Sequence, residues 1–588
     1  MLHRDPGALI HQQLGLVLLF FSCLGANAIL SVQEPQQPKP QSAENSSNVH
    51  SLRITTHLVQ VNVIVNDKHG NPITGLGQKD FFILDNGKLQ EIRAFSAETN
   101  LPFAPSRTPL PPDTYTNRPE EQTNVPASVT VILLDALNTE AADQTLARKQ
   151  VIRALREIQP QEYVALYWLG NGLHILHDFT TDASILRQVL AGYESKSPRQ
   201  LDNSEFADPS LNTPNPSTPA GQTSERQAFR LAFDQRVANQ STRDRVRATV
   251  SALVAIANHL GTRKGRKNLV WVSSSFPVSL GYDKFDLNWT NDTGEGFAAD
   301  VRRAASALTD ANIAVYPVDA RGLLGSGVSA NQDDLDSHIG DPTDTDTHLP
   351  TRGAPETFDT MRLLAERTGG KAFYGTNDIS GAIRHAMDDS RVTYTLGYYP
   401  AAVKWDGSFH EIKVKVATPG TEVRARSGYF ALPDAPVAPS KNEHTLITQL
   451  AATWLPATGI GLHVRAQASR TPGAPTLTTE VHLDLREIQM QQKEGRWTAT
   501  VQSVFLQLDS AGHILQADDR TFHPDFDATT YERVLRSGIS DTRQVRVLPG
   551  AVQLCIVVRD ATGANMGSIY LPLAQYFPDS SKASRSKQ

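Results

Sequence analysis

Asp135 and Thr139 stand four residues apart at the end of an apolar run, Val129 to Leu134, where a carboxylate and a hydroxyl could do chemistry together. Hard oxygen donors at such a spacing suit a divalent cation such as Mg²⁺ or Ca²⁺. Ser273 and Ser274 close a second apolar run, Leu269-Val-Trp-Val, and Asp319 closes a third, Asn312-Ile-Ala-Val-Tyr-Pro-Val. Between Asp135 and Thr139 stands Leu137, which cannot ligate. Asp135 and Thr139 are therefore candidate metal residues, expected to hold either no cofactor or weakly bound Mg²⁺ or Ca²⁺. The competing expectation is that Asp135 caps the next helix or hydrogen-bonds within its own loop.

Other groups with chemical potential fall short of a constellation. Residues 332–347 contain six Asp, but their spacing fits no EF-hand loop and reads as a solvated acidic loop. His410-Glu411 lacks the second His of a zinc-protease helix, and neither a Gly-x-Ser-x-Gly elbow nor a phosphate-binding Gly loop occurs. The basic residues of Lys264-Gly-Arg-Lys read as a solvated turn. Cys555, inside Val-Gln-Leu-Cys-Ile-Val-Val, reads as a small core residue. No enzyme is expected from these patterns.

The elements that must position Asp135 follow from periodicity. Val129 to Leu134 lack polar alternation, as in a strand buried on both faces. Strand and helix then alternate, the signature of a parallel sheet. Helices are expected at 140–158, 182–191, 224–260, 296–310, 357–368 and 378–390. Strands are expected at Tyr163 to Leu169, Leu173 to Phe179, Leu269 to Ser273 and Asn312 to Asp319, with a last short one at Lys371-Ala-Phe-Tyr. The fold class is an α/β, Rossmann-like, mostly parallel sheet with helices on both faces, flanked by N- and C-terminal β-sandwich-like domains.

The chain is 588 residues long with 20% charged residues and a net charge of -6, so several domains are expected and a nucleic-acid partner is not. Residues 1–28 read as a signal peptide: a short apolar core, Leu14 to Leu24, ends in Ala-Asn-Ala, with cleavage after Ala28. The expected location is periplasmic or extracellular, with lipid on Cys23 as the alternative. A disordered linker follows at 29–50, a small β domain at 51–98 and a Pro-rich linker at 99–127. The α/β domain spans 128–432, with an insertion near 194–223 and closing β strands at 391–432. A C-terminal β-sandwich is expected at 444–577 and a frayed tail at 578–588. No segment after the signal is apolar enough to span a membrane.

Several stretches carry a more specific likeness. They are Val65-Asn-Asp-Lys-His-Gly-Asn-Pro-Ile-Thr-Gly-Leu, Leu133-Leu-Asp-Ala-Leu-Asn-Thr and Lys267-Asn-Leu-Val-Trp-Val-Ser-Ser-Ser-Phe-Pro. To them belong Ala314-Val-Tyr-Pro-Val-Asp-Ala-Arg-Gly-Leu, Leu396-Gly-Tyr-Tyr-Pro and Val423-Arg-Ala-Arg-Ser-Gly-Tyr-Phe. Across about 51–432 the chain resembles the exported von Willebrand factor A (vWA)-related proteins of acidobacteria. The resemblance implies a vWA domain whose usual Asp-x-Ser-x-Ser metal loop has Leu137 at its first Ser position and whose later Asp falls at Ser273-Ser274, so the metal set it implies is Asp135, Thr139 and Ser274, a degenerate site. It also implies adhesion or protein binding, to an unknown protein or cell-surface partner, through the top face of the sheet. An envelope enzyme or assembly factor with an unrecognised active site is the alternative.

Overall fold

A computed structural model describes residues 58–99, 110–193, 224–276, 295–321, 356–431 and 455–577, with breaks at 112, 119–127, 161, 264, 377, 390, 401–403, 472–473 and 562–564. The expected signal peptide, spacer, insertion, acidic loop and tail lie outside the described residues. Among the described residues no helix is long and apolar enough to cross a membrane.

The first strands, β1 (Val59–Asn66), β2 (Phe81–Asp85), β3 (Lys88–Gln90) and β4 (Ala94–Thr99), do not close on themselves as a small domain. Three of them, β1, β2 and β4, pair with strands about 300 residues or more later, among β11 (Val392–Tyr398), β12 (Phe409–Val416), β13 (Glu422–Ala425) and β14 (Gly428–Phe430), while β3 pairs with β2 and β14 with β12. Two sheets result, in the orders β13-β1-β11-β4 and β14-β12-β2-β3. Val61, Val63, Ile83, Tyr394, Leu396 and Tyr398 fill the space between them, all below 1% exposed. This corrects two expected boundaries: residues 51–98 and 391–432 are halves of one β-sandwich rather than a separate module and a set of closing strands. Each half carries a single apolar face, and neither can bury it without the other.

The α/β body between them is built on β6 (Val129–Asp135), β7 (Val164–Leu169), β8 (Leu173–Thr180), β9 (Lys267–Ser273) and β10 (Ile313–Asp319). Strand order is β10-β9-β6-β7-β8, with β8 antiparallel to β7 and the other pairs parallel. Alternate residues of β6 serve opposite faces, as strand geometry requires. Val131 and Leu133 pack toward α3 (Ser224–Leu260), α4 (Glu295–Asp310) and α5 (Glu356–Thr368). Ile132 and Leu134 pack toward α1 (Ala141–Ala154), α2 (Ala183–Ala191) and α6 (Ile379–Asp388). The short strand expected at Lys371-Ala-Phe-Tyr reduces to one parallel bridge, Val318 to Phe373. Arg266 and Lys267, expected in a solvated turn, are 2% and 1% exposed. Arg266 Nη2 donates to Tyr316 Oη (3.0 Å) and Gly369 O (2.8 Å), and Lys267 opens β9.

The C-terminal body stacks two further antiparallel sheets. The first has the order β22-β16-β15-β5, from β5 (Thr114–Thr116), β15 (Leu462–Thr471), β16 (Ala474–Leu483) and β22 (Ile539–Arg546). The second has the order β20-β19-β23-β24, from β19 (Val501–Leu508), β20 (Ile514–Phe522), β23 (Gln553–Asp560) and β24 (Met566–Pro572). A small ribbon of β17 (Gln491–Lys493), β18 (Arg496–Thr498) and β21 (Asp525–Phe526) and one helix, α7 (Ala528–Ser537), complete it. Residues 114–116, expected inside a linker, are an edge strand here, with Thr114, Tyr115 and Thr116 opposite Arg465, Val464 and His463. The sandwich also grips the end of α3: Thr458 N donates to Asn258 O (2.9 Å), and His259 Nδ1 lies 2.8 Å from Pro456 O. Leu455, Val504, Leu506 and Val557 join the same apolar core as α3.

Candidate functional site

Because β6, β9 and β10 run parallel and in level register, Leu134 beside Val272 and Val272 beside Val318, their carboxyl ends meet on one edge. In an open α/β sheet this is the edge where ligand-binding groups gather. Asp135, Thr139 and Ser274 are all brought there and are 2%, 2% and 7% exposed.

Asp135 is enclosed by donors. Its Oδ1 receives Asn138 N (3.0 Å), while Oδ2 receives Asn138 Nδ2 (2.9 Å) and Trp271 Nε1 (3.0 Å). Ser273 Oγ lies 2.9 Å from the same oxygen and 3.0 Å from Ser275 O, so its single proton serves one of them at a time. Burial pushes the Asp135 carboxyl above its usual range, and the bonds from Asn138, Ser273 and Trp271 oppose that rise. Asn138 in turn donates to Thr249 Oγ1 (2.9 Å) and accepts from Arg245 Nε (3.1 Å), which ties the loop to the middle of α3.

The remaining groups of the edge are likewise partnered. Ser274 N donates to Thr139 Oγ1 (3.1 Å), and Ser274 Oγ donates to Asp143 Oδ2 (3.0 Å) in the first turn of α1. Arg321 makes a two-pronged contact with Asp319, Nε to Oδ1 and Nη2 to Oδ2, both 2.9 Å. Leu137 is 2% exposed and belongs to the apolar core. A hard cation needs several free oxygens facing one point. Here N–H groups point their positive ends at Asp135, where such an ion would have to approach. The donor set fits a hydrogen-bonded corner better than a Mg²⁺ or Ca²⁺ site.

Sequence reasoning found Asp135, Thr139 and Ser274 but missed Asn138, Trp271, Arg245 and Asp143. Asn138 sits within the same short loop and could have been weighed as the partner of a buried carboxylate. Trp271 reads as one more apolar residue in a buried run, and nothing local marks its indole N–H.

Elsewhere, Cys555 is fully buried and burial pushes its thiol up to about 12, so it is a poor nucleophile at neutral pH. A second buried carboxylate, Asp85, accepts from Tyr398 Oη (2.9 Å) and Tyr429 Oη (3.0 Å) and lies 2.9 Å from His410 Nδ1.

No protein-family model and no curated protein matches this chain. Among solved structures it is similar to an aerotolerance-related membrane protein from Bacteroides fragilis NCTC 9343, at 12% identity over 45% of this chain and 97% of that one, with a TM-score of 0.22. It is similar to the conserved hypothetical protein BatB from Bacteroides thetaiotaomicron, at 12% identity over 44% and 95%, with a TM-score of 0.22. It is also similar to the pilus adhesin SpaC from Lactobacillus rhamnosus GG, at 9% identity over 76% and 52%, with a TM-score of 0.25. Scores of this size carry no argument about this chain's fold or function.

Proposed function

We propose that the chain is an exported vWA-type protein, related to those of acidobacteria, that binds a protein or surface-polymer partner on the loops after Leu134, Val272 and Val318. The observation that supports this is the level ending of three parallel strands on one edge, with a corner whose polar groups are tied to one another. Such a corner is stiff and needs no ion to hold its loops. The contact is therefore read as independent of divalent metal, with Asp135 acting through loop order.

Calorimetric titration of Ca²⁺ and Mg²⁺ into the full chain tests the metal half of this reading. The expected result is no binding in the micromolar range. Micromolar binding that disappears in Asp135→Ala would overturn it and restore an ion-dependent adhesion site. Capture of partners from an envelope extract tests the other half, with Glu140→Lys, exposed beside Thr139, as the comparison. Capture should survive chelator and fall with the charge reversal. Capture unchanged by Glu140→Lys would move the partner surface elsewhere.

A further inference from the structure

A crevice of about 230 Å³ opens between the last turns of α4 and the first β-sandwich. It falls below the 300–1,000 Å³ common for drug-sized ligands, so its occupant should be small. The two walls differ in chemistry. The sandwich side presents Trp405 and Tyr429, ring centroids 6.1 Å apart, together with Phe409. Tyr429 Oη is anchored on buried Asp85 at 3.0 Å, so this wall is held in place.

The polar ends are separate. Arg426 lines the crevice, and its Nε is buried without a hydrogen-bond partner among the described residues. Arg367, by contrast, lies over the Phe409 ring with its guanidinium carbon 3.6 Å from the centroid. Asp310 lines the helix side and is exposed to solvent. The surrounding protein pushes its carboxyl up and the charge of Arg426 opposes this, although no ion pair joins the two. Asp310 is also the final residue of the 16-residue helix α4, where the negative end of the helix dipole adds to its own charge. A small ligand meeting all three features carries an anion for Arg426, a cation for Asp310 and an apolar or flat body for the aromatic wall.

We propose that this crevice is a binding site for a free α-amino acid with an apolar or aromatic side chain. Its carboxylate accepts from the Arg426 guanidinium, its ammonium donates to Asp310, and its side chain lies against Trp405 and Tyr429. Binding moves no bonds and needs no co-reactant. It involves residues separate from the Asp135 corner, so neither reading depends on the other.

The test is calorimetry on the full chain with L-phenylalanine and L-leucine, beside 3-phenylpropionate, which lacks the ammonium, and D-glucuronate, an acidic sugar. Expected is binding of the amino acids, with 3-phenylpropionate and glucuronate at least about tenfold weaker. Arg426→Gln and Asp310→Asn should each weaken amino-acid binding by roughly tenfold or more. A thermal melt shows whether each variant folds, and Asp310→Asn, at a solvent-reached position, carries the test if Arg426→Gln does not. Equal binding of 3-phenylpropionate, preference for glucuronate, or no binding of either amino acid would each overturn the assignment.

Discussion

Trp271 and Asp135, on adjacent parallel strands, are joined by an indole N–H to carboxylate hydrogen bond of 3.0 Å inside a fully enclosed corner. The indole ring is itself held by Phe276, edge-on at 6.1 Å between centroids, so the N–H is aimed before the carboxylate is considered. The consequence is that Asp135 holds the corner together. Asp135→Ala leaves the buried Trp271 N–H and the Asn138 amide without an acceptor, at about 1–3 kcal/mol for each orphaned donor. The expected loss is roughly 3 kcal/mol of unfolding free energy in urea, with or without EDTA. A loss under about 1 kcal/mol would mean that water replaces the carboxylate and the corner is looser than described.

The same carboxylate sets a pH dependence. Its folded pKa is raised by burial, so the folded state binds its proton more readily than the unfolded chain. That contribution to stability is fully present below the ordinary carboxylate pKa and is lost as pH rises through the raised folded value. Asp135→Asn cannot titrate. The difference in stability between wild type and Asp135→Asn should therefore shift against wild type as pH climbs above the ordinary Asp range, then level off. A flat difference across that interval would show that the donors around Asp135 cancel its desolvation.

The strand ends that form this edge were legible because an apolar run without alternation stops at a polar residue, and Asp135, Ser273 and Asp319 each mark such a stop. Asp135 and Thr139 were found for that reason. Arg245 was not, since it lies over 100 residues away inside a long helix where any Arg reads as solvent-facing. Pairing was the larger loss. Val59–Asn66 shows the period of a strand, but nothing in it names Val392–Tyr398 as the partner, because any strand with a matching apolar face satisfies the same pattern. Thr114–Thr116 is short and flanked by Pro-rich sequence, so its role as an edge strand depends wholly on β15.

Lys267 supplies an independent prediction. Its side chain is 1% exposed, and burial together with the nearby charge of Arg263 lowers its amine to about 7, against Glu98. With a depressed folded pKa, the unfolded chain binds more protons between about 7 and the ordinary Lys value of 10.5. Stability should therefore rise with pH across that interval and be forfeited as pH falls through 7, by at most about 5 kcal/mol. Lys267→Met, which keeps the stem and removes the charge, should flatten the curve and stabilise the protein at pH 6. Unchanged slopes in chemical melts at pH 6 to 10 would place the ammonium in contact with water.

The last prediction concerns what remains after the chain is cut. Strands β1 to β4 complete a core with β11 to β14, while β5 joins the C-terminal sheet and α3 shares its apolar core with Leu455, Val504 and Leu506. Each linker therefore connects bodies that also hold one another through buried surface. A protease that nicks the chain within 433–454 should leave fragments that co-elute by gel filtration in native buffer and separate only in denaturant. A chain ending at Pro433, by contrast, would take Pro456 and Thr458 away from the end of α3 and Leu455, Val504 and Leu506 out of the shared apolar core, and should bind a hydrophobic dye and aggregate. If that shortened chain stays monomeric with the melting temperature of the intact protein, the contact between α3 and the C-terminal sandwich contributes little, and the bodies are independent.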